Sequence, residues 1–239
     1  MRLEVIASTL EDGIAAEAGG ADRLEVVRDL DRGGLTPAVA LVESLLARGR
    51  LPLRVMVRVE EPFVPTSPDV VARLCEEARA FASLPVDGLV FGALTPANEV
   101  DVDVLRRFAA AAAPRAVTFH RAFELAPDPV AALASMTRVP VVDRVLTSAG
   151  DGSAETRVGR LVSWRTAAGS TPRLLFAAGM DEAAIAAAAG QGFEIHVGRA
   201  ARDGHTTHGP VTAPLVARVR AVMTRGPVAR EDVGEIHTP

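Results

Sequence analysis

No lysine occurs anywhere in the 239 residues, so every basic side chain apart from histidine is an arginine. Schiff-base aldol chemistry and pyridoxal phosphate catalysis both need a lysine amine, and a Walker A loop needs its lysine, so all three are excluded. A GC-rich genome favouring Arg and Ala codons accounts for the absence without any functional cause; the exclusion holds either way. Cysteine is nearly as scarce. Cys75 is the one thiol, which rules out an intramolecular disulfide. It lies mid-helix in VARLCEEARAFA, where a packed small residue is the expected role. Aromatics make up 4% of the chain and the formal charge of -4 forms no basic stripe. Nucleic acid is therefore not an expected partner. No apolar run reaches the roughly 18 residues of a membrane span, and MRLEVIASTLEDG does not read as a signal peptide. With one thiol and no span, the chain is expected to be cytoplasmic, away from membranes.

Short β-type runs alternate with Ala-rich helical segments along the whole chain. The runs are LEVIA, RLEVV, LRVMVRV, DGLVFG, RAVTFH, DRVLTS, RLLFAA and FEIHVG, each followed by a helix. The helices are expected near 9–18, 37–47, 67–82, 102–112, 128–136, 154–166, 181–189 and 213–224. Strands joined through crossover helices make a parallel sheet, and eight such units in this length predict a single (β/α)8 TIM barrel over residues 1–225. A doubly wound open sheet is the competing architecture, because strand order is invisible in sequence. Residues 226–239 are polar and read as a loosely held tail.

The strands alternate apolar and polar positions. Leu24 and Val26 flank Glu25, Val117 and Phe119 flank Thr118, and Ile195 lies between Glu194 and His196. Period-two alternation divides a strand between two faces. Helices cover the outside of a barrel, so the polar set points into the lumen: Glu4, Arg23, Glu25, Arg54, Arg58, Thr118, His120, Arg173, Glu194 and His196. On strand six either Arg144 or Thr147 faces inward. Charges so enclosed must pair, since an unpaired one costs roughly several kcal/mol. At strand starts (Arg23, Arg173) an ion-pair lattice is the expected use. At strand ends the expectation turns to chemistry, because barrel active sites lie at the C-terminal face.

DRLEVVRDLDRGGLTP, VTFHRAF, RVLTSAG and EIHVG, in that order, resemble the CutC family, and the resemblance runs from Leu3 to about Arg199. It implies a (β/α)8 barrel and a link to copper homeostasis. Family members commonly carry cysteines after the first strand's LE and at the end of the second strand; here Ile6, Ala7 and Val27 stand there. The family's Arg-Pro-Arg-Gly-Gly-Asp segment is retained only as Arg58, followed by Val59, Glu60 and Glu61. Cu(I) favours thiolate and thioether donors, so a copper role resting on thiols is weakened for this chain.

The candidate site gathers strand ends. His120 and Glu25 are the candidate acid/base residues. Arg58 and Arg121 suit an anionic substrate group, with Thr118, Thr147, Gly179 and Gly198 as further substrate contacts. Glu25, His120 and His196 form a candidate divalent-metal set, although each comes from a separate strand and no local spacing supports it. In GGLTP, Thr36 is placed to cap the second helix and Pro37 to open it. His205 and His208 have a metal-like spacing, but a solvated Gly-flanked loop is the plainer reading. The expectation is a small-molecule ligand at the barrel mouth, bound by a homo-oligomer. The cofactor is open, a divalent metal or copper being the candidates, and so is the reaction among lyase, isomerase and hydrolase. The alternatives are non-catalytic copper binding and a scaffold barrel with only an ion-pair core.

Overall fold

The computed structural model describes residues 1–169, 171–177, 179 and 181–225. The segment expected to form a polar tail, 226–239, lies outside these. Eight parallel strands pair in sequence order and close on themselves. They are β1 (Leu3–Ala7), β2 (Arg23–Val26), β3 (Leu53–Met56), β4 (Gly88–Phe91), β5 (Ala116–Phe119), β6 (Val142–Thr147), β7 (Arg173–Phe176) and β8 (Glu194–Val197). The helices α1 (Leu10–Ala18), α2 (Val39–Arg48), α3 (Pro68–Ala82), α4 (Val102–Ala112), α5 (Pro129–Met136), α6 (Ala154–Ala168), α7 (Glu182–Gly190) and α8 (Ala213–Arg225) follow the strands in turn. This closure excludes the open doubly wound sheet. Among the described residues no helix is long and apolar enough to cross a membrane.

Local chemistry starts the helices where the sequence marks them. Thr9, Ser67, Asp101, Asp128, Ser153 and Asp181 each accept a backbone N–H from the first turn of the helix they precede. The second helix is the exception. It begins at Val39 with no side-chain cap, and Thr36 has another use: its Oγ1 accepts the Arg58 N–H at 2.9 Å. Thr36 therefore ties the GGLTP loop to the end of β3 rather than capping α2, and Pro37 lies before the helix.

The main core lies between the barrel and its helical shell. Leu3, Val5, Leu24, Leu53, Leu89, Phe91, Phe119, Phe176 and Ile195 point outward into it. Burying each such side chain contributes about 1.5–3 kcal/mol. The opposite face of the strands fills the lumen with charge at the lower, N-terminal end. Arg23 bonds Glu4 and, at 2.9 Å, Glu194. Arg144 bonds Asp143 and, at 2.9 Å, Glu194. Arg54 reaches Asp87 at 2.6 Å and Asp143 at 2.9 Å. Gly88 makes room for this crossing, since a Cβ there would lie 2.5 Å from Arg54 Nη1. The register shift between Val117 and Thr118 pairs Thr118 with Arg144. Arg144 is thus the inward residue of β6, and Thr147 falls on the opposite parity beside Phe176. Arg173 departs from its expected enclosure. It stands at the lower opening with its side chain 66% exposed, 3.7 Å from Glu194.

Candidate functional site at the barrel mouth

Two residues beyond the lower polar layer, each strand offers one more inward residue. On β1 to β4 these are Ile6, Val27, Met56 and Val90, packed as one cluster. On the β6 and β7 side, Leu146 and Ala177 pack with Leu175. His120 follows β5 and His196 lies in β8, so the ring below the mouth is apolar except for two imidazoles. Above it opens a cavity of about 880 Å³, lined by Ile6, Glu25, Met56, His120, Leu146 and His196 among others. That size suits a small organic ligand.

The two imidazoles are tuned in opposite directions. His196 Nδ1 lies 2.7 Å from Glu4 Oε1 and 3.6 Å from Glu25 Oε2. Burial pulls its pKa down, but the carboxylates of Glu25 and Glu4 outweigh burial and raise it. The charged form of the ring is therefore favoured. Burial also pushes the Glu4 carboxyl up, yet the Arg23 guanidinium and the His196 ring hold it well below the ordinary carboxylate range. Glu25 has no such second partner. Its Oε2 is buried and makes no hydrogen bond, and burial pushes its pKa up to about 7 against the attraction of His196.

His120 is buried and its Nδ1 accepts the Ala122 N–H at 3.2 Å. The proton of the neutral ring therefore sits on Nε2. Burial, reinforced by the Arg58 charge, pushes its pKa down to about 3. Phe63 packs between the two, its ring 5.0 Å from the His120 ring and 4.8 Å from the Arg58 guanidinium. A Cβ at Gly92 would lie 2.5 Å from His120 Nδ1, so glycine there is what admits the ring.

The structure brings together Glu25, His120, His196, Arg58, Arg121, Gly179 and Gly198 around one cavity. It does not bring Thr118 or Thr147 to it. Thr118 lies in the lower layer against Arg54 at 3.4 Å, and Thr147 Oγ1 accepts the Ala149 N–H. The set Glu25, His120 and His196 does not converge on a point. Among the described residues the group whose ligand atoms lie together is Glu4, Glu25 and His196, within 4.8 Å of one another. His120 is absent from it because its Nδ1 is turned to its own loop. Arg58 lines the cavity but donates to the carbonyls of Arg32, Gly34 and Glu61. Arg121 donates to Glu124 at 3.0 and 2.6 Å. His205 also lines the cavity, whereas His208 does not. Cys75 is buried in α3, away from the mouth, and burial pushes its thiol up.

Sequence reasoning placed Glu4 in the lumen without assigning it to the site, and it missed Glu124 and Arg199. Glu124 directly follows the VTFHRAF motif and accepts from the Ser148 N–H. No local signal distinguished Arg199 from other surface arginines.

Comparison with known proteins agrees with this architecture. The CutC family model matches residues 1–199. A CutC family protein of Xanthomonas campestris is 33% identical over 221 residues, covering 91% of this chain and 88% of that one. One from Xylella fastidiosa is 38% identical over 152 residues, covering 64% of this chain and 57% of its own. The human copper homeostasis protein cutC homolog is 36% identical over 152 residues, covering 64% and 55%. The matches to the Xylella and human proteins thus span little more than half the length of those relatives. The crystal structure of CutC from Streptococcus agalactiae superposes with a TM-score of 0.69 at 21% identity, covering 83% of this chain and 98% of that one. Ruminococcus gnavus sialic acid aldolase shares the fold at TM-score 0.60 and 15% identity, covering 82% and 67%. These two structural likenesses speak to fold alone. With its family model matched across the barrel and its strand-end motifs in order, this chain belongs to the CutC family.

Proposed function

We propose that the barrel mouth binds a small anionic molecule and moves a proton on it. The observation that carries this reading is Glu25: a buried carboxyl on a ligand-sized cavity, with an oxygen that accepts no hydrogen bond and a pKa of about 7. A general base works best when its pKa lies near the working pH. Titratable groups whose environments push their pKa values apart mark acid/base assignments, and His120 and His196 are such a pair.

In the proposed step the Glu25 carboxylate accepts a proton from a C–H or O–H of the ligand, and the electron pair stays on the ligand. Neutral His120 donates through Nε2–H to the oxygen where negative charge builds, without changing its own protonation state. The His196 imidazolium, fixed by Glu4, balances the charge beside Glu25. Arg58 and Arg121 add positive potential at the cavity wall. The reaction class is lyase or isomerase, in a cytoplasmic protein. The test is solvent exchange. Candidate carboxylates and phosphate esters are screened by thermal shift, and those that bind are incubated with the protein in D2O. Deuterium incorporation that disappears in Glu25→Gln supports the reading; incorporation at an unchanged rate sinks it.

The second reading is copper as cargo, favoured by the name of the human relative, a copper homeostasis protein cutC homolog. The donor set fits it poorly. Met56 is the only sulfur among the described cavity residues, and Cu(I) favours soft ligands. The Glu4, Glu25 and His196 group offers one nitrogen and carboxylate oxygens, which suit a harder divalent ion. The group is also balanced internally, by His196 and by Arg23. Stoichiometric Cu(I) binding in competition with a chelator, unaffected by Cys75→Ala, would favour this reading over ours.

A further inference from the structure

Four arginines stand around the mouth: Arg32, Arg58, Arg121 and Arg199. Three of them are already engaged. Arg32 pairs with Glu61 at 2.6 Å, Arg58 donates to three loop carbonyls, and Arg121 is held by Glu124. The exposed Arg199 makes no side-chain hydrogen bond or ion pair among the described residues. Its backbone, by contrast, is anchored. The Arg199 carbonyl accepts the Arg202 N–H at 3.1 Å. Arg202 is buried and reaches the Ile6 carbonyl at 3.1 Å, Asp12 at 2.9 Å and the Gly209 carbonyl at 2.8 Å. A guanidinium without a carboxylate or carbonyl of its own is available to a ligand anion.

Arg199 lies close to His196 along the chain. His196 is three residues earlier, in β8, while Arg199 opens the short helical turn after it, which limits the separation of their Cα atoms to about 10 Å. Gly198 lies between them, and a Cβ there would come within 3.0 Å of Ile6 Cδ1. Glycine thus leaves the wall open there. Ile6, Val27, Met56 and Leu146 supply apolar walls to the same cavity. From rim to floor the cavity therefore runs from a cationic rim to an apolar ring that holds both imidazoles, with Glu25 below it.

We infer that the ligand is a short-chain hydroxy- or oxo-compound with a terminal carboxylate or phosphate, its anion on Arg199, its carbon chain against the apolar ring, and its oxygen inward at Glu25 and His120. The inference rests on the proton-transfer reading and adds the orientation and the class of ligand. Arg199, rather than Arg58 or Arg121, is the residue that selects for the anion.

Titration calorimetry with 6-hydroxyhexanoate, 4-hydroxybutyl phosphate, glycolate and uncharged 1,6-hexanediol tests it. The first two are expected to bind. Glycolate, too short to bridge rim and floor, and the diol, without an anion, are expected to bind at least tenfold more weakly. Arg199→Gln removes a charge-assisted contact and should weaken the two bridging anions about tenfold or more, while Arg32→Gln, at a mouth arginine already paired with Glu61, should change them less than threefold. A preference between carboxylate and phosphate names the anion. Arg199→Gln affinity within twofold of the parent, or glycolate or the diol binding as well as the long anions, overturns the inference. Arg199 is exposed, so its variant should fold, and a matching urea midpoint checks that. Proton uptake on binding, measured in buffers of different ionisation heat, separates the two claims. Arg199-dependent binding whose proton uptake is the same in Glu25→Gln overturns the acid/base reading and keeps the ligand's orientation. Glu25-dependent uptake without Arg199 dependence does the reverse.

Discussion

His196 Nδ1 is shared between two carboxylates, Glu4 Oε1 at 2.7 Å and Glu25 Oε2 at 3.6 Å. The two acids differ in everything else around them. Glu4 also holds Arg23 and stays ionised, whereas Glu25 has only the ring and sits near neutrality. One imidazole between unequal acids leaves the same residue type in two states, Glu4 a fixed counter-charge and Glu25 a carboxyl near neutrality.

Glu25 should make the fold less stable as pH rises. Its folded pKa, about 7, exceeds the ordinary 4.5. Between those values the native state holds more protons than the unfolded chain, so this group's contribution falls with increasing pH. Glu25→Gln lacks that term. The variant's urea midpoint, relative to the parent's, should rise from pH 5 to pH 7.5; a constant difference would mean that Glu25 is ionised throughout.

His120 has the opposite linkage. Its folded pKa is about 3, below the ordinary 6.5, so the unfolded chain binds the proton first. Stability from this residue is lost as pH falls from about 6.5 towards 3. His120→Gln should remove part of the acid limb without steepening the alkaline one. Denaturant titrations at pH 7 and pH 4 measure the difference, and an acid limb as steep as the parent's would contradict the burial argument.

Gly92→Ala should disturb His120 specifically. The added methyl would lie 2.5 Å from Nδ1 and 2.6 Å from Cε1, so the ring must leave the Ala122 N–H. Overpacking of this kind costs about 1–3 kcal/mol. Nitrogen chemical shifts of the ring should lose the pattern of a neutral Nε2–H tautomer. An unchanged spectrum would mean that the backbone yields instead.

The Arg202 and Asp12 pair should carry the loop after β8. Both side chains are buried and 2.9 Å apart, and Asp12 also accepts the Ser8 and Val211 N–H groups. Arg202→Met leaves that acid without its cation, at a cost of about 3–5 kcal/mol. Combined with Asp12→Asn, the loss should fall short of the sum by about 0.5–3 kcal/mol. Additive losses from urea unfolding would show that the two act separately.

Much of the barrel was legible in the chain. Glu194–Val197 reads as a strand because apolar and polar residues alternate, and Thr9, Ser67 and Asp181 announce helices because their oxygens satisfy first-turn N–H groups. Strand parity put Glu4, Glu25, His120 and His196 in the lumen, since a period of two leaves no other face. Where those patterns failed, a distant partner had intervened. Thr36 caps nothing because the Arg58 N–H claims it, and a register shift at Val117 decided between Arg144 and Thr147.

The roles within the site belong to the tertiary structure. The sequence by itself determined that two imidazoles and several acids would face one enclosed space, and that no lysine or cavity cysteine would join them. It could not say that Glu4 rather than His120 would share the ring of His196, because that pairing joins residues at opposite ends of the chain through barrel closure. Nor could it single out Arg199 from its fellow arginines. Pairing is set by which charges the closed sheet brings within reach, and a charge's chemistry follows from what is left unpaired.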